Sequence, residues 1–395
     1  MRAALPAAKL WQNLLLRPNR LGPQNVFLFR TSLPASGPCR TISGGMKELL
    51  VKAGPKVIAI NSPIPIPDED QVIIKVVAVG SNPKDWKRPE WRGNVINQGD
   101  DVAGYVHTVG SNVTEFKPGD RVAAFHEMGG PGGGYAEYSL AWAYTTFHLP
   151  KKISFEEAAT IPLAAMTAAM ALFSRLPLPM PWSPAKKPTP LIIYGASSAV
   201  GCFAIQLAKR ANIHPLLCVA GKGASHVETL IDRSKGDTII DYRQGPKAVA
   251  QGFRDALKDS DLKEVKYGFD VISGNESWKP MIEVMDPHGA ITLLLPYPES
   301  DMPPTMSHVR TAVGGSHKGP GTRDYDPDLA YVFFRLFAKG LADGWFKGHP
   351  YEIRKGGLDG VEGALADLKA GKASAVKYVF RVEDTQGLGR KDGRV

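Results

Sequence analysis

The feature that most constrains this chain is Leu191-Ile192-Ile193-Tyr194 followed at once by Gly195, Ala196, Ser197, Ser198, Ala199, Val200 and Gly201. Four apolar residues have the length of a buried strand, and the small residues behind them suit a tight turn that opens a helix. Small side chains there let a diphosphate reach backbone N–H groups at the positive end of the helix. The pattern departs from G-x-G-x-x-G, because Ser198 and Ala199 stand where a middle glycine is expected. A hydroxyl at that place can itself donate to phosphate. Gly201 is read as the residue that lets helix and strand pack closely.

A small-residue turn occurs in many α/β proteins, so the chain downstream decides its meaning. Helices are expected over 200–211, 225–234, 247–258 and 278–285, and strands over 215–220, 238–242, 269–273 and 290–295. Strict alternation implies a doubly wound parallel sheet, a Rossmann domain whose crevice lies at the carboxyl ends of its strands. Ser273 and the Leu293-Leu294-Leu295 run lie at two such ends and are candidates for lining the crevice; apolar packing also explains the leucines.

Cofactor choice rests on the end of the second strand, where a NAD site places an acid for the ribose hydroxyls. Gly221 and Lys222 occupy that place, and Glu228 lies further on. A cation without a carboxylate favours a 2′-phosphate, so Lys222 and Ser225, with Tyr242 nearby, predict NADPH. Lys222 read by itself is also an ordinary solvated lysine.

Upstream, residues 46–150 read as short strands cut by Pro, Gly, Asn and Asp turns. Ser154 followed by Glu156 and Glu157 starts a helix with acids in its first turn, where they suit the dipole. A second helix is expected over 167–173, and a last strand over 375–382 that rejoins the first domain. The expected organisation is a leader over 1–45, a β domain over 46–160, the Rossmann domain over 161–315 and a completing segment over 316–395.

Hydrophobic residues make up 43% of the chain and charged residues 22%, enough apolar material for a sizeable core. No apolar run approaches the roughly 18 residues of a membrane span. Of the net charge of +9, the leader alone carries Arg2, Lys9, Arg17, Arg20, Arg30 and Arg40 with no acid. Elsewhere basic residues are interleaved with acids, which argues against a nucleic-acid surface. The leader, with Leu10, Trp11, Leu14 and Leu15 at helical spacing, reads as a mitochondrial transit peptide. A disordered extension on a cytoplasmic protein is the other reading. Cys39, Cys202 and Cys218 are scattered and form neither a disulfide framework nor a CxxC pair.

Four segments then appear in order: Asn82-Pro83-Lys84-Asp85-Trp86-Lys87, Gly99-Asp100-Asp101-Val102-Ala103-Gly104, Phe116-Lys117-Pro118-Gly119-Asp120-Arg121-Val122, and the Gly195 to Gly201 turn. The chain resembles zinc-independent medium-chain dehydrogenases/reductases over about 46–382, closest to the fungal quinone-oxidoreductase-like branch with its trans-acting enoyl reductases. That resemblance implies a GroES-like β domain beside the Rossmann domain, with the active site between them. Zinc-dependent relatives carry a Cys where Asn82-Pro83 stand, a Gly-His-Glu where Gly99-Asp100-Asp101 stand, and a four-Cys lobe. No metal is therefore expected, and His107 and His126 read as surface or packing residues.

The resemblance also nominates residues. Lys87 is expected to orient the nicotinamide ribose or support proton delivery, and Thr167 to line the site as a hydroxyl. Lys87 equally reads as a solvated loop lysine, and Thr167 as a residue bonded to its own helix. Tyr135, behind Gly132-Gly133-Gly134, is a third candidate donor on a glycine-rich rim. Lys84, Asp85, Trp86, Lys372 and Ala373 are expected on the cofactor side. The function implied is hydride transfer from NADPH to an activated double bond, in an enoyl thioester or enone. The alternatives are a quinone reductase and a non-catalytic NADPH-binding protein. A polyketide synthase partner and a homodimer are further implications; the transit-like leader fits a synthase partner poorly.

Overall fold

The computed structural model describes residues 41–258, 264–317, 319 and 325–388. The leader, with its import reading and Cys39, lies outside the described residues apart from its last few positions.

Strand-forming segments with short turns build the first half: β1 (Thr41–Lys52), β2 (Lys56–Pro65), β3 (Gln71–Gly80), helix α1 (Lys84–Arg92), β4 (Asp101–Val109), β5 (Arg121–Phe125), β6 (Tyr138–Trp142) and β7 (Thr146–His148). Helices α2 (Phe155–Ala158) and α3 (Pro162–Met170) follow. Ser154 caps α2 by accepting from the Glu157 N–H, as its sequence context predicts. Every residue of α3 is buried. A helix apolar all round shows no amphipathic period, because it has no solvent face to keep polar. The run Phe155–Arg175 is 21 residues long and apolar enough to cross a membrane by length and composition, yet 89% of its most apolar window is buried inside the protein. It is a core element.

The second half alternates: β8 (Leu191–Tyr194), α4 (Ala199–Arg210), β9 (Leu216–Ala220), α5 (Ala224–Glu228), β10 (Thr238–Asp241), α6 (Pro246–Lys258), β11 (Val265–Asp270), α7 (Lys279–Ile282), β12 (Met285–Leu293) and β13 (Ser307–Arg310). These strands form a six-stranded parallel sheet in the order β10-β9-β8-β11-β12-β13. The order reverses beside β8, and ligands of open α/β sheets bind at such a point. Helix α8 (Pro327–Asp343) then packs on α3 and β7, and the chain returns through β14 (Tyr351–Ile353), α9 (Val361–Lys369) and β15 (Lys377–Arg381). Strand β15 lies antiparallel to β3, with Val379 opposite Gly80, inside a sheet ordered β14-β15-β3-β4-β5-β7. The last strand therefore completes the first domain, as the sequence predicts.

Several boundaries differ from expectation: α3 begins at Pro162 rather than Thr167, α5 ends at Glu228 rather than Ser234, and β11 spans Val265–Asp270 rather than 269–273. Strand β1 begins at Thr41, ahead of Met46, because its hairpin partner β2 supplies the pairing. Strand β12 begins at Met285, through Pro287 and Gly289 that read as a turn, and its register against β11 shifts between Val265 and Tyr267. Strand β13, Ser-His-Val-Arg, is short and polar at the sheet edge, so it leaves no hydrophobic period to find.

Candidate functional site

The turn after β8 has the form its residues foretell. Gly195 has φ +85°, a conformation that disfavours a side chain. A Cβ on Gly201 would lie 2.4 Å from the Gly195 carbonyl oxygen and 2.7 Å from the Ala196 Cα. Helix and turn touch here through backbone alone. Ser198, in place of the middle glycine, is the N-cap: its Oγ accepts from the Gly201 N–H at 3.1 Å and donates to the Gly195 carbonyl at 2.8 Å. Ala196 is buried, while Ser197, Ser198, Ala199 and Val200 remain partly accessible. The start of α4 thus presents the small residues and free N–H groups that a diphosphate requires.

At the end of β9, Lys222 and Ser225 are exposed, and neither side chain has a hydrogen bond among the described residues. The Tyr242 ring lies over Gly221, where an added Cβ would meet its Cε1 at 2.5 Å. The acids nearby are already paired: Glu228 with Arg233 at 2.6 Å, and Asp241 with Arg243 at 2.6 Å. A cation and a hydroxyl without partners among the described residues therefore stand beside paired carboxylates at this strand end. Across the turn, Gly223 approaches Ala375, whose φ is +53°, so the segment before β15 closes over this corner.

Several candidates are engaged with other residues of the protein. Tyr135 is fully buried, and its hydroxyl donates to Asp85 Oδ2 at 2.6 Å; it is a strut of the first domain. Lys84 is held by Asp85 at 3.0 Å, by Asp100 and by the Gln98 carbonyl at 2.6 Å, so its charge is spent internally. Asp85 is wholly buried and also accepts from the Asn82 N–H. Burial outweighs the Lys84 ammonium and raises its carboxyl to about 6. Trp86 packs between the ammonium groups of Lys87 and Lys369, each 5.6 Å from its ring centre. Lys372 pairs with Asp367 at 2.8 Å, and Ala373 packs partly against the first core.

The crevice-side residues of the Rossmann sheet separate likewise. Ser273, at φ +49°, donates to the Asp270 carbonyl and accepts from the Leu294 N–H, tying β11 to β12. Leu293 is fully buried in the core under the sheet, whereas Leu294 and Leu295 are partly accessible. The split falls where strand β12 ends, at Leu293. Thr167 donates to the Leu163 carbonyl at 2.7 Å, one turn back on its own helix. Lys87 alone among the nominated lysines of α1 has no acidic partner; it lies over Trp86 and Trp91, and burial lowers its pKa. His126, expected on the surface or in packing, is 1% exposed and bonded to Asp100 at 2.9 Å and to the Pro131 carbonyl.

Sequence reasoning missed the residue at the floor of the site. Lys377 is 4% exposed, and its Nζ donates to Asp101 Oδ2, to Asn82 Oδ1 at 3.1 Å and to the Thr160 carbonyl at 3.3 Å. Asn82 in turn donates to Asp101 at 2.7 Å, and Asp101 Oδ1 accepts from the Leu163 N–H at the start of α3. An ammonium thus fills the space between the Asn82 and Asp101 positions, where the resemblance locates zinc ligands in metal-dependent relatives. The available signal was a lysine opening a short strand whose middle residues, Tyr378 to Phe380, are buried.

With this geometry established, likeness to known proteins becomes informative. Residues 68–151 match the Alcohol dehydrogenase GroES-like domain. The chain is 49% identical over 317 residues to the trans-enoyl reductase fsr4 of Gibberella fujikuroi, covering 79% of this chain and 91% of that protein. Among solved structures, an alcohol dehydrogenase superfamily protein from Novosphingobium aromaticivorans superposes with a TM-score of 0.70 at 19% identity, over 86% of this chain and all of the other. The CurK enoyl reductase does so with a TM-score of 0.65 at 20% identity, over 85% and 98%. Both share the fold.

Proposed function

The chain belongs to the trans-enoyl reductases of the medium-chain dehydrogenase/reductase family, and from that premise we propose that it reduces the activated carbon–carbon double bond of a 2-enoyl thioester with NADPH. The observation that carries the cofactor choice is the unpaired Lys222 and Ser225 beside the glycine turn. When bound, NADPH supplies the hydride. The chain's own residues do the rest. Amides at the start of α4 hold the diphosphate, and Gly201 lets that helix start pack against the turn. Lys222, Ser225 and Tyr242 hold the 2′-phosphate. Leu294 and Leu295 give the acyl side an apolar wall. Lys87, without a carboxylate partner, is the cation assigned to orient the ribose or support proton delivery. No zinc takes part in this proposal, which is supported by the Lys377 ammonium already satisfying Asp101 and Asn82.

The acyl group is proposed to arrive on a polyketide synthase. The mitochondrial reading of the leader competes with that partner, and a fluorescent reporter fused to residues 1–45 separates them: diffuse signal rejects import. The test of function is NADPH oxidation with a crotonyl thioester, a simple enone and a quinone in parallel. Turnover of the thioester well above the others is expected. Turnover of the quinone alone, or of none, overturns the proposal.

A further inference from the structure

Away from the crevice, three side chains with metal-binding atoms converge without any role in the reaction above. Cys202 lies on α4, His226 on α5, and His349 in the segment between α8 and β14. Their ligating atoms all lie within 4.8 Å of one another, the one such His/Cys/Asp/Glu group among the described residues. We propose that Cys202, His226 and His349 bind one zinc-class divalent cation.

The site is built rather than incidental. His349 is 3% exposed, and its Nδ1 is buried without a hydrogen-bond partner, a costly state for a polar atom unless something meets it. Burial, then the neighbouring His226 and Lys377, hold that imidazole neutral, the form that ligates. Cys202 is 1% exposed, and its thiol makes one weak contact, 3.4 Å to the Ala196 carbonyl. The His226 and His349 rings meet edge to face, with centroids 5.7 Å apart. The backbone around His349 is fixed from both sides. Its N–H donates to Thr160 Oγ1 at 2.9 Å, Gly348 N–H donates to Glu157, and Gln206 of α4 brackets Lys347 with two hydrogen bonds.

One sulfur and two imidazole nitrogens are borderline-soft donors that suit zinc-class ions and disfavour calcium or magnesium. Metal–ligand bonds of about 2.0–2.3 Å require the donors to draw together by about 1 Å. The half-exposed His226, on a short helix, can make that movement. Its open side leaves a fourth position to water. Binding forms the Cys202 sulfur–metal bond and releases the thiol proton to solvent, with no change of oxidation state. Because Cys202 follows Gly201, and His349 belongs to the stretch returning to the first domain, the ion would brace the cofactor half against the catalytic half.

The test uses the full chain, stripped with a chelator, dialysed and titrated with Co²⁺ and then Zn²⁺. Saturation at one ion per chain is expected, with a near-ultraviolet thiolate-to-cobalt band, visible four-coordinate bands, and displacement of both by one equivalent of Zn²⁺. Cys202→Ser removes the thiolate band, while Cys39→Ser and Cys218→Ser retain it. His349→Asn and the half-exposed His226→Asn each weaken binding by about a hundredfold or more, beyond the loss typical of an outer-shell partner. Zn²⁺ raises the Tm of the stripped native chain and leaves that of Cys202→Ser unmoved. Absence of saturable binding to the native chain overturns the proposal. So does a band that survives Cys202→Ser, or native affinity in His226→Asn.

Discussion

The rim of the crevice and its floor handle charge in opposite ways. At the rim, Lys222 and Ser225 are exposed and unpaired, while Glu228 and Asp241 beside them are neutralised by arginines. At the floor, Lys377, Asp101, Asn82, Asp85 and Asp100 are buried, Lys84 is largely so, and the charged groups pair with one another. A cation kept free in water costs little and is available to a ligand; one buried at 4% exposure must be paired permanently. Lysines at the rim are therefore read as binding groups and those at the floor as structure.

Replacing a floor lysine breaks this contrast most forcefully. Lys377→Met strands the Asp101 carboxylate in the core and is expected to cost about 3–5 kcal/mol in denaturant unfolding. Adding Asp101→Asn should recover a large part of that loss, since no charge is then left unpaired. Next comes Asp85. Its carboxyl is raised from an ordinary 3.8 to about 6, because burial disfavours the charged form more than Lys84 favours it. The stabilisation by its protonated form is fully present below pH 3.8 and is lost as pH rises through about 6. Stability of the native chain relative to Asp85→Asn should fall across that window by up to about 3 kcal/mol, then level off. A pH-independent difference would refute the assignment.

The rim supplies the third comparison. Lys222→Ala removes a charge-assisted contact of about 1.5–3 kcal/mol, so the KM for NADPH should rise by tens of fold while that for NADH stays put. Equal effects on both cofactors would place Lys222 elsewhere. The smallest change is expected from Thr167→Val, because the hydroxyl already serves the Leu163 carbonyl. Its kcat should move less than about threefold, a barrier change under 1 kcal/mol; a larger loss would restore Thr167 to the chemistry.

The rim was legible in sequence for a physical reason. Gly195 to Gly201 and Lys222 act through local geometry: a turn, a cap and a strand end, each encoded within a few residues. The alternating strands and helices that support them carry periodicity of their own, and the parallel sheet follows. The floor is assembled from residues far apart in the chain; Lys377 meets Asn82 across 295 positions and Asp101 across 276. No spacing rule joins such residues, so Tyr135, Lys84 and Asp85 looked like site groups when they are struts. Leu293 and Leu294 show the same limit at one-residue scale, for β12 ends with Leu293 in the core and the next residue is already partly accessible.

The central claim is direct hydride transfer to the enoyl chain, and isotopic labelling of the transferred position reads it most directly. NADPH carrying deuterium on its transferable C4 position is incubated with the protein and a crotonyl thioester, and the saturated product is weighed by mass spectrometry. The account predicts one deuterium at the β-carbon and a solvent-derived proton at the α-carbon. A saturated product without deuterium would contradict it.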